Sequence, residues 1–380
     1  MKVLMLWKYY PEYINYFYKK HPKVVNLPFE KHRNELFNDH FGWPADLSRY
    51  MNQRNIRTEF IIVNDELLQK KWAIENCFSS YSRYRWEKEI AMEQIKSFCP
   101  DILWITSIFD YFGKFIKNAL PYCKKAITWV SCETPKNLDV SGFSVLVTSH
   151  PHILKNKHQS FEKVLITKPG FDPAILKKVG NIEKKYDITF IGGMSSAHKN
   201  RCEVLAYLVK NGINLQLFGI LPESSKYLQI TKVRKYIPNY LYTSQKFEKI
   251  EYEKNKQILK SVYKGPTFGL DAYRIFASSF LTVNVHGEVA KNYSGNIRMF
   301  ESTGLGTCLI TENYSNVKEL FEPQKEILTY ESKEHLLDII TKSLKQKEKI
   351  LQIGTAGQKR TLRDHTIERM FNDLQPLFEI

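Results

Sequence analysis

The chain has no run of roughly 18 apolar residues, so no membrane-spanning helix is expected. Its apolar start, "MKVLMLW", is short, and Lys8, Tyr9 and Tyr10 follow without a small-residue cleavage site. It reads as a first strand and not as a signal peptide. None of the six cysteines forms a CxxC pair. That argues against a zinc ribbon or a dithiol redox site and fits small buried hydrophobes in a reducing compartment, with the cytoplasm as default. There is no long basic block, no low-complexity segment and no short internal repeat. A specific nucleic-acid partner is therefore not expected.

What is present is a two-domain chain. At 380 residues it is too long for one typical core. Its net charge of +16 has two readings. Lysines scattered over solvated faces account for it, or it draws the chain to an anionic partner such as a phosphorylated substrate or the inner face of a membrane.

Short apolar runs alternate with helical patterns from end to end, which argues for two parallel α/β sheets wrapped by helices. Strands are expected at Lys2–Leu6, Thr58–Val63, Ile102–Ile105, Ala126–Val130, Ser144–Thr148 and Val164–Ile166. Residues 8–40, broken by Pro11, Pro22 and Pro28, read as an extended insertion. The turn "KPGFDP" and the polar run after it place the domain boundary near 167–185. The pattern then restarts, with strands at 188–191, 214–218, 280–285 and 307–311. A looser basic region covers 222–264, and one long final helix is expected over 361–378.

Three constellations in the second half could carry chemistry. In "ITFIGGMSSAHKNR" a strand ends in Gly192-Gly193, and a helix follows near His198. Glycines there allow close backbone approach, and the free N–H groups of a helix start favour an anion. His198, Lys199 and Arg201 are read as adding positive charge. The pattern is neither GxGxxG nor a Walker loop, so it supports neither a classical NAD site nor a P-loop; an ordinary structural turn is the competing reading. In "FGLDAYRIFASSFLTVNVHGEV", His286 falls just past a strand end, where open α/β sheets bind ligands. In "NYSGNIRMFESTGLGT", Asn292, Ser294, Gly295 and Asn296 precede a short helix on which Arg298 and Glu301 share a face. They read as a surface ion pair, or as an arginine for a diphosphate and a carboxylate for ribose hydroxyls.

These motifs, with "ELFEPQKEILTYES" and "AGQKRTLRDHTIERM" after them in register, resemble the C-terminal half of the CgeB-like (spore-maturation-protein-like) glycosyltransferases. These are group-1 enzymes of the GT-B superfamily. The resemblance covers roughly residues 186–375. It implies an α/β GT-B fold, two Rossmann-like domains facing a central cleft. Residues 1–170 would form the acceptor-side domain and 180–360 the nucleotide-sugar domain, with a C-terminal helix, 361–380, packing back toward the first. It implies a metal-independent sugar transfer from a nucleotide-diphosphate donor, UDP-linked by default, with no cofactor. Gly192, Gly193, His198, Lys199, Arg201, Asn296, Arg298 and Glu301 would hold the donor, and His286 would lie near its sugar. Related retaining enzymes carry a second glutamate eight residues before the first. Tyr293 stands there instead, so stereochemistry is not carried over.

On the acceptor side the resemblance points to loops after first-half strands. His40 in "NDHFGWPADL" and Glu133 in "WVSCETPK" are the candidate catalytic groups, with His150 a third. The acceptor would be a glycan, a lipid-linked sugar or a protein. Two other readings share the evidence: a nucleotide-sugar epimerase of the same fold, and a non-catalytic basic surface-binding protein.

Overall fold

A computed structural model describes residues 1–106, 109–131, 138–152, 161–222 and 239–378, with the backbone alone over 239–249. Glu133 lies outside the described residues. The contacts divide the chain into two compact units. The first is Met1–Lys178 with Gly295–Phe300 and the chain from Thr361 on; the second is Val179–Ser294 with Glu301–Arg360.

The first unit holds a parallel sheet of β1 (Lys2–Trp7), β2 (Arg57–Ile62), β3 (Ile102–Ile105), β4 (Lys125–Trp129), β5 (Val145–Thr148) and β6 (Lys163–Ile166), in the order β2-β1-β3-β4-β5-β6. The second holds β7 (Tyr186–Gly193), β8 (Leu215–Ile220), β9 (Ser279–Val283), β10 (Cys308–Glu312) and β11 (Leu328–Tyr330), ordered β11-β10-β9-β7-β8 and again parallel. Strands such as "ILWI" and "CLITE" are buried at every residue. A parallel sheet covered on both faces requires that, because neither side of the strand meets water. In both sheets the strand order reverses beside the first strand, between β1 and β3 and between β7 and β9.

Three expectations from sequence are corrected. Residues 8–40 are not extended: they form helices Pro11–Lys20 and Phe29–Asn38 with a 3-10 turn, Pro22–Asn26, between them. Pro11 and Pro22 stand in the first turn of their elements and Pro28 caps the next. There the missing N–H removes nothing and the fixed φ favours the helix. The basic region includes a helix, Asn239–Lys260, whose Tyr252 and Leu259 join the core of the second unit. The final helix is two: Lys347–Asp364 ends, and Thr366 caps a new one, Ile367–Leu374, by accepting from the Arg369 N–H.

That last helix is tied to the first unit through its own backbone. Phe171 N–H donates to His365 O at 2.8 Å, and Ile367 N–H donates to Phe171 O at 3.0 Å. Gly170 makes the approach feasible, since a Cβ there would meet Thr366 O at 2.5 Å and Ile367 N at 2.6 Å. Gly170→Ala should therefore destabilise the first unit by roughly 1–3 kcal/mol, the range for overpacking. All six tryptophans (7, 43, 72, 86, 104 and 129) lie in that unit. Urea unfolding followed by tryptophan fluorescence reads it directly, and an unchanged midpoint would contradict the contact.

Candidate functional site

In an open α/β sheet the loops leaving the carboxyl ends of strands diverge where the strand order reverses, and the opening between them takes ligands. In the second unit these are the loops after β7 and β9. The strand before the first loop ends in Gly192-Gly193. Gly192 has a packing reason to lack a side chain. A Cβ there would meet the Phe190 ring at 3.0 Å, and its backbone pairs with Gly219 across β7 and β8, where a Cβ on Gly219, at φ +109°, would meet Gly192 O at 2.3 Å. Gly193 is the open position, its nearest neighbour on that side being His198 Cε1 at 3.9 Å.

Arg201, near the start of helix Lys199–Lys210, joins the two loops. Its Nε donates to Val285 O at 2.9 Å and its Nη1 to Gly193 O at 2.6 Å. The guanidinium that was expected to face a diphosphate thus also acts as a staple. Lys199 is exposed at the same helix start. The expectation that His198 adds charge is corrected. Burial first, and the Arg201 charge second, lower its pKa to about 4, so it is neutral at pH 7. Its Nδ1 lies 2.9 Å from Ser195 Oγ, so Ser195 holds the imidazole and does not cap the helix backbone.

The loop after β9 is fixed from β10. Glu312 Oε1 accepts the His286 backbone N–H at 2.7 Å, and its Oε2 lies 2.7 Å from His286 Nδ1. A carboxylate only accepts, so the Nδ1 proton points to Glu312. Thr311 Oγ1 donates to Oε2 at 3.2 Å and itself accepts from Asn284 Nδ2 at 3.0 Å. The His286 side chain is 1% exposed. It locks the loop beneath the surface through Glu312. Gly287 turns toward His198, whose Cδ2 would lie 3.4 Å from a Cβ there.

Helix Ile297–Gly304 carries Arg298 and Glu301. Asn316 holds the segment before it, accepting Ser294 N–H at 2.7 Å and donating to Ser294 O at 2.9 Å, much as a neighbouring strand would. Glu301 is buried, and Tyr273 OH donates to its Oε1 at 3.3 Å. Asp271 and Arg274, on the same helix as Tyr273, pair with each other at 2.9 Å on an outer face. The helix is shared between the units: Gly295–Phe300, with Asn296 and Arg298, group with the first and Glu301 with the second. Within the first unit, Gly295 faces the Lys168 side chain, whose Nζ donates to Ser149 O at 2.6 Å.

His40 sits in the first unit inside an ion cluster. Its Nδ1 is 2.8 Å from Asp46 Oδ1, while Arg49 Nη1 lies 2.9 Å from Asp46 Oδ1 and 3.2 Å from Asp172 Oδ2. Burial, then the Asp46 charge, raises the Asp172 pKa. Oxygen and nitrogen atoms of His40, Asp46 and Asp172 come within 4.8 Å of one another, a spacing open to a metal ion. The Arg49 guanidinium already bridges the two carboxylates. At 2% exposure, His40 orders the loop before helix Trp43–Gln53 through its contact with Asp46. His150 is also buried.

Sequence reasoning missed Glu312, Tyr273 and Asn316. Glu312 ends an otherwise apolar strand, and the strand-end rule that selected His286 would have selected it too. Tyr273 and Asn316 meet their partners only through tertiary packing.

A family model described as glycosyl transferase-like matches residues 223–375, a stretch that includes His286, Arg298 and Glu301. Among curated proteins, none matches the chain. A glycosyltransferase from Rickettsia africae is similar over 100% of this chain and 97% of its own, at 12% identity and a TM-score of 0.57. The fold is GT-B. HepE of Anabaena, solved with UDP and glucose, covers 100% of this chain and 99% of its own at 11% identity and TM-score 0.55. Sucrose-phosphate synthase of Thermosynechococcus elongatus covers 100% and 98% at 9% identity and TM-score 0.55. At such identities the GT-B likeness concerns the backbone alone.

Because His198 gains charge only as pH falls through about 4, it contributes none across neutral pH. His198→Gln should leave the pH dependence of ligand affinity unchanged between about pH 5 and 8. A titration near pH 6.5 that disappears in the variant, read by calorimetry, would show the imidazole to be charged.

Proposed function

We propose that the chain is a glycosyltransferase that moves a hexosyl group from a nucleotide-diphosphate sugar, UDP-linked by preference, to an acceptor hydroxyl without a metal ion. The observation that carries this reading is the rim at the strand-order reversal of the second unit, where Arg201 joins the loops after β7 and β9. The family match over 223–375 supports the activity, and the UDP bound in HepE of Anabaena supports the choice of nucleotide. Membership of the CgeB-like subgroup rests on the motifs quoted above. The acceptor is a glycan, a lipid-linked sugar or a protein, and the +16 charge favours approach to an anionic membrane face on the cytoplasmic side.

In this reading the acceptor oxygen bonds to the anomeric carbon as the bond from that carbon to the diphosphate oxygen breaks. The electron pair leaves with the nucleoside diphosphate. The acceptor proton passes to a base or to the departing phosphate. Lys199, Arg201 and the N–H groups at the start of helix Lys199–Lys210 face the charge that develops on the leaving group; the resemblance gives Arg298 a part in holding the same diphosphate. Glu301, set on its helix with Tyr273 at one oxygen, accepts from the ribose hydroxyls. Gly193, the open position of its loop, lines the donor in this reading.

The test is calorimetry with UDP-, GDP-, CMP- and dTDP-sugars. Hydrogen bonds to charged groups are worth about 1.5–3 kcal/mol, so Glu301→Ala and Arg298→Ala should each weaken nucleotide-sugar binding about tenfold or more. Unchanged affinity in both variants would sink the assignment. Incubation with donor alone separates the alternatives: interconversion of the sugar marks an epimerase.

A further inference from the structure

A cavity of about 340 Å³ opens in the first unit between helices Phe29–Asn38 and Trp43–Gln53 and the edge strand β2. Its volume lies within the range of small-molecule sites, about 300–1,000 Å³. It is lined by the early residues of β2, Thr58 to Phe60, and not by a strand's carboxyl end, so it is distinct from the rim described above.

The walls are polar in a specific way. Asn34 and Asn38 stand four residues apart on one helix face, and Ser48 lines the same cavity from the other helix. None of the three side chains bonds a protein group among the described residues, although Ser48 is only 4% exposed. Each amide offers two donors and an acceptor, and the hydroxyl offers both. Phe37 and Phe60, with ring centroids 5.2 Å apart, add an apolar wall. The frame is held in place: Asn52 donates to Ser48 O at 3.0 Å and to Thr58 O at 2.8 Å, and accepts from Thr58 N at 2.9 Å.

The charges decide the ligand class. Arg33 pairs with Glu30 at 2.6 Å and with Glu59, and Arg49 pairs with Asp46 and Asp172. Both guanidinium groups are compensated, so the cavity has no surplus positive charge to select a phosphate or carboxylate. Free amides and a hydroxyl beside aromatic rings suit alternating hydroxyl and C–H faces, as on a sugar ring.

We infer that this cavity is a saccharide subsite of the first unit, which holds an uncharged sugar residue of the acceptor glycan away from the bond-forming centre. The acceptor role rests on the transferase reading; the binding of sugar does not. One wall of the cavity is helix Trp43–Gln53, whose Arg49 reaches the His40 cluster, so an occupied subsite would anchor the glycan on the first unit.

The experiment is saturation-transfer NMR on the full chain with maltose, cellobiose, lactose and diacetylchitobiose, with inorganic phosphate as competitor. At least one disaccharide is expected to bind, phosphate should not displace it, and Asn34→Ala with Asn38→Ala should weaken it about tenfold. Both residues are exposed, so the double variant should fold, and its UDP affinity by calorimetry should match the parent. Absence of binding by all four sugars, displacement by phosphate, or equal binding by the double variant would overturn the inference. Saccharide binding that the double variant loses, in a parent that binds no nucleotide sugar, would retain the subsite and reject the transferase reading.

Discussion

The second unit depends on what Arg201 does with its guanidinium. One N–H group reaches the carbonyl at the end of β7 and another the carbonyl just past β9. These are neighbouring strands whose loops must part, because the strand order reverses between them. A planar, permanently charged fork binds two carbonyls without losing its charge, which a lysine could not do with the same fixed geometry. The staple fixes the width of the opening before any ligand arrives, and preorganised dipoles cost no rearrangement when charge develops. The other contacts extend that rim. Glu312 holds the β9 loop from β10, Ser195 orients His198, and Asn316 sets the segment that leads into Arg298 and Glu301.

Charge around this rim is arranged economically. His198 is held neutral by burial. His286 is sealed against a carboxylate. Positive character at the rim comes from Lys199, Arg201 and the helix start. In the first unit charge is also internally balanced, Arg49 with two aspartates and Arg33 with two glutamates. The large net charge of the chain therefore belongs mostly to its solvated faces and not to these clusters.

The fold was legible because a parallel sheet covered on both faces writes itself as short uninterrupted apolar runs, and "ILWI", "VLVT" and "CLITE" are such runs. Residues 8–40 were not, because Pro11, Pro22 and Pro28 read as breakers when they in fact start elements. At the candidate site, strand-end position marked His286 and helix spacing marked Arg298 and Glu301. It could not show that His286 is covered or that Arg201 bonds backbone, since burial and long-range partners are set by the register between strands distant in sequence. The same limit hid Tyr273 and Asn316, and the cavity beside β2 involves two helices the sequence did not predict together. Gly192 teaches the opposite lesson: its Gly-Gly motif looked like a ligand turn, and half of it leaves room for the Phe190 ring.

The central claim is that the second unit holds a nucleotide sugar at its stapled rim. Hydrogen–deuterium exchange with and without UDP-glucose tests it most directly, because it reads location as well as binding. The account predicts slower exchange over the segments around 193–201, 284–288 and 297–301, with β11 and its neighbouring helix unchanged. Protection confined to other segments, or none at saturating nucleotide sugar, would contradict it.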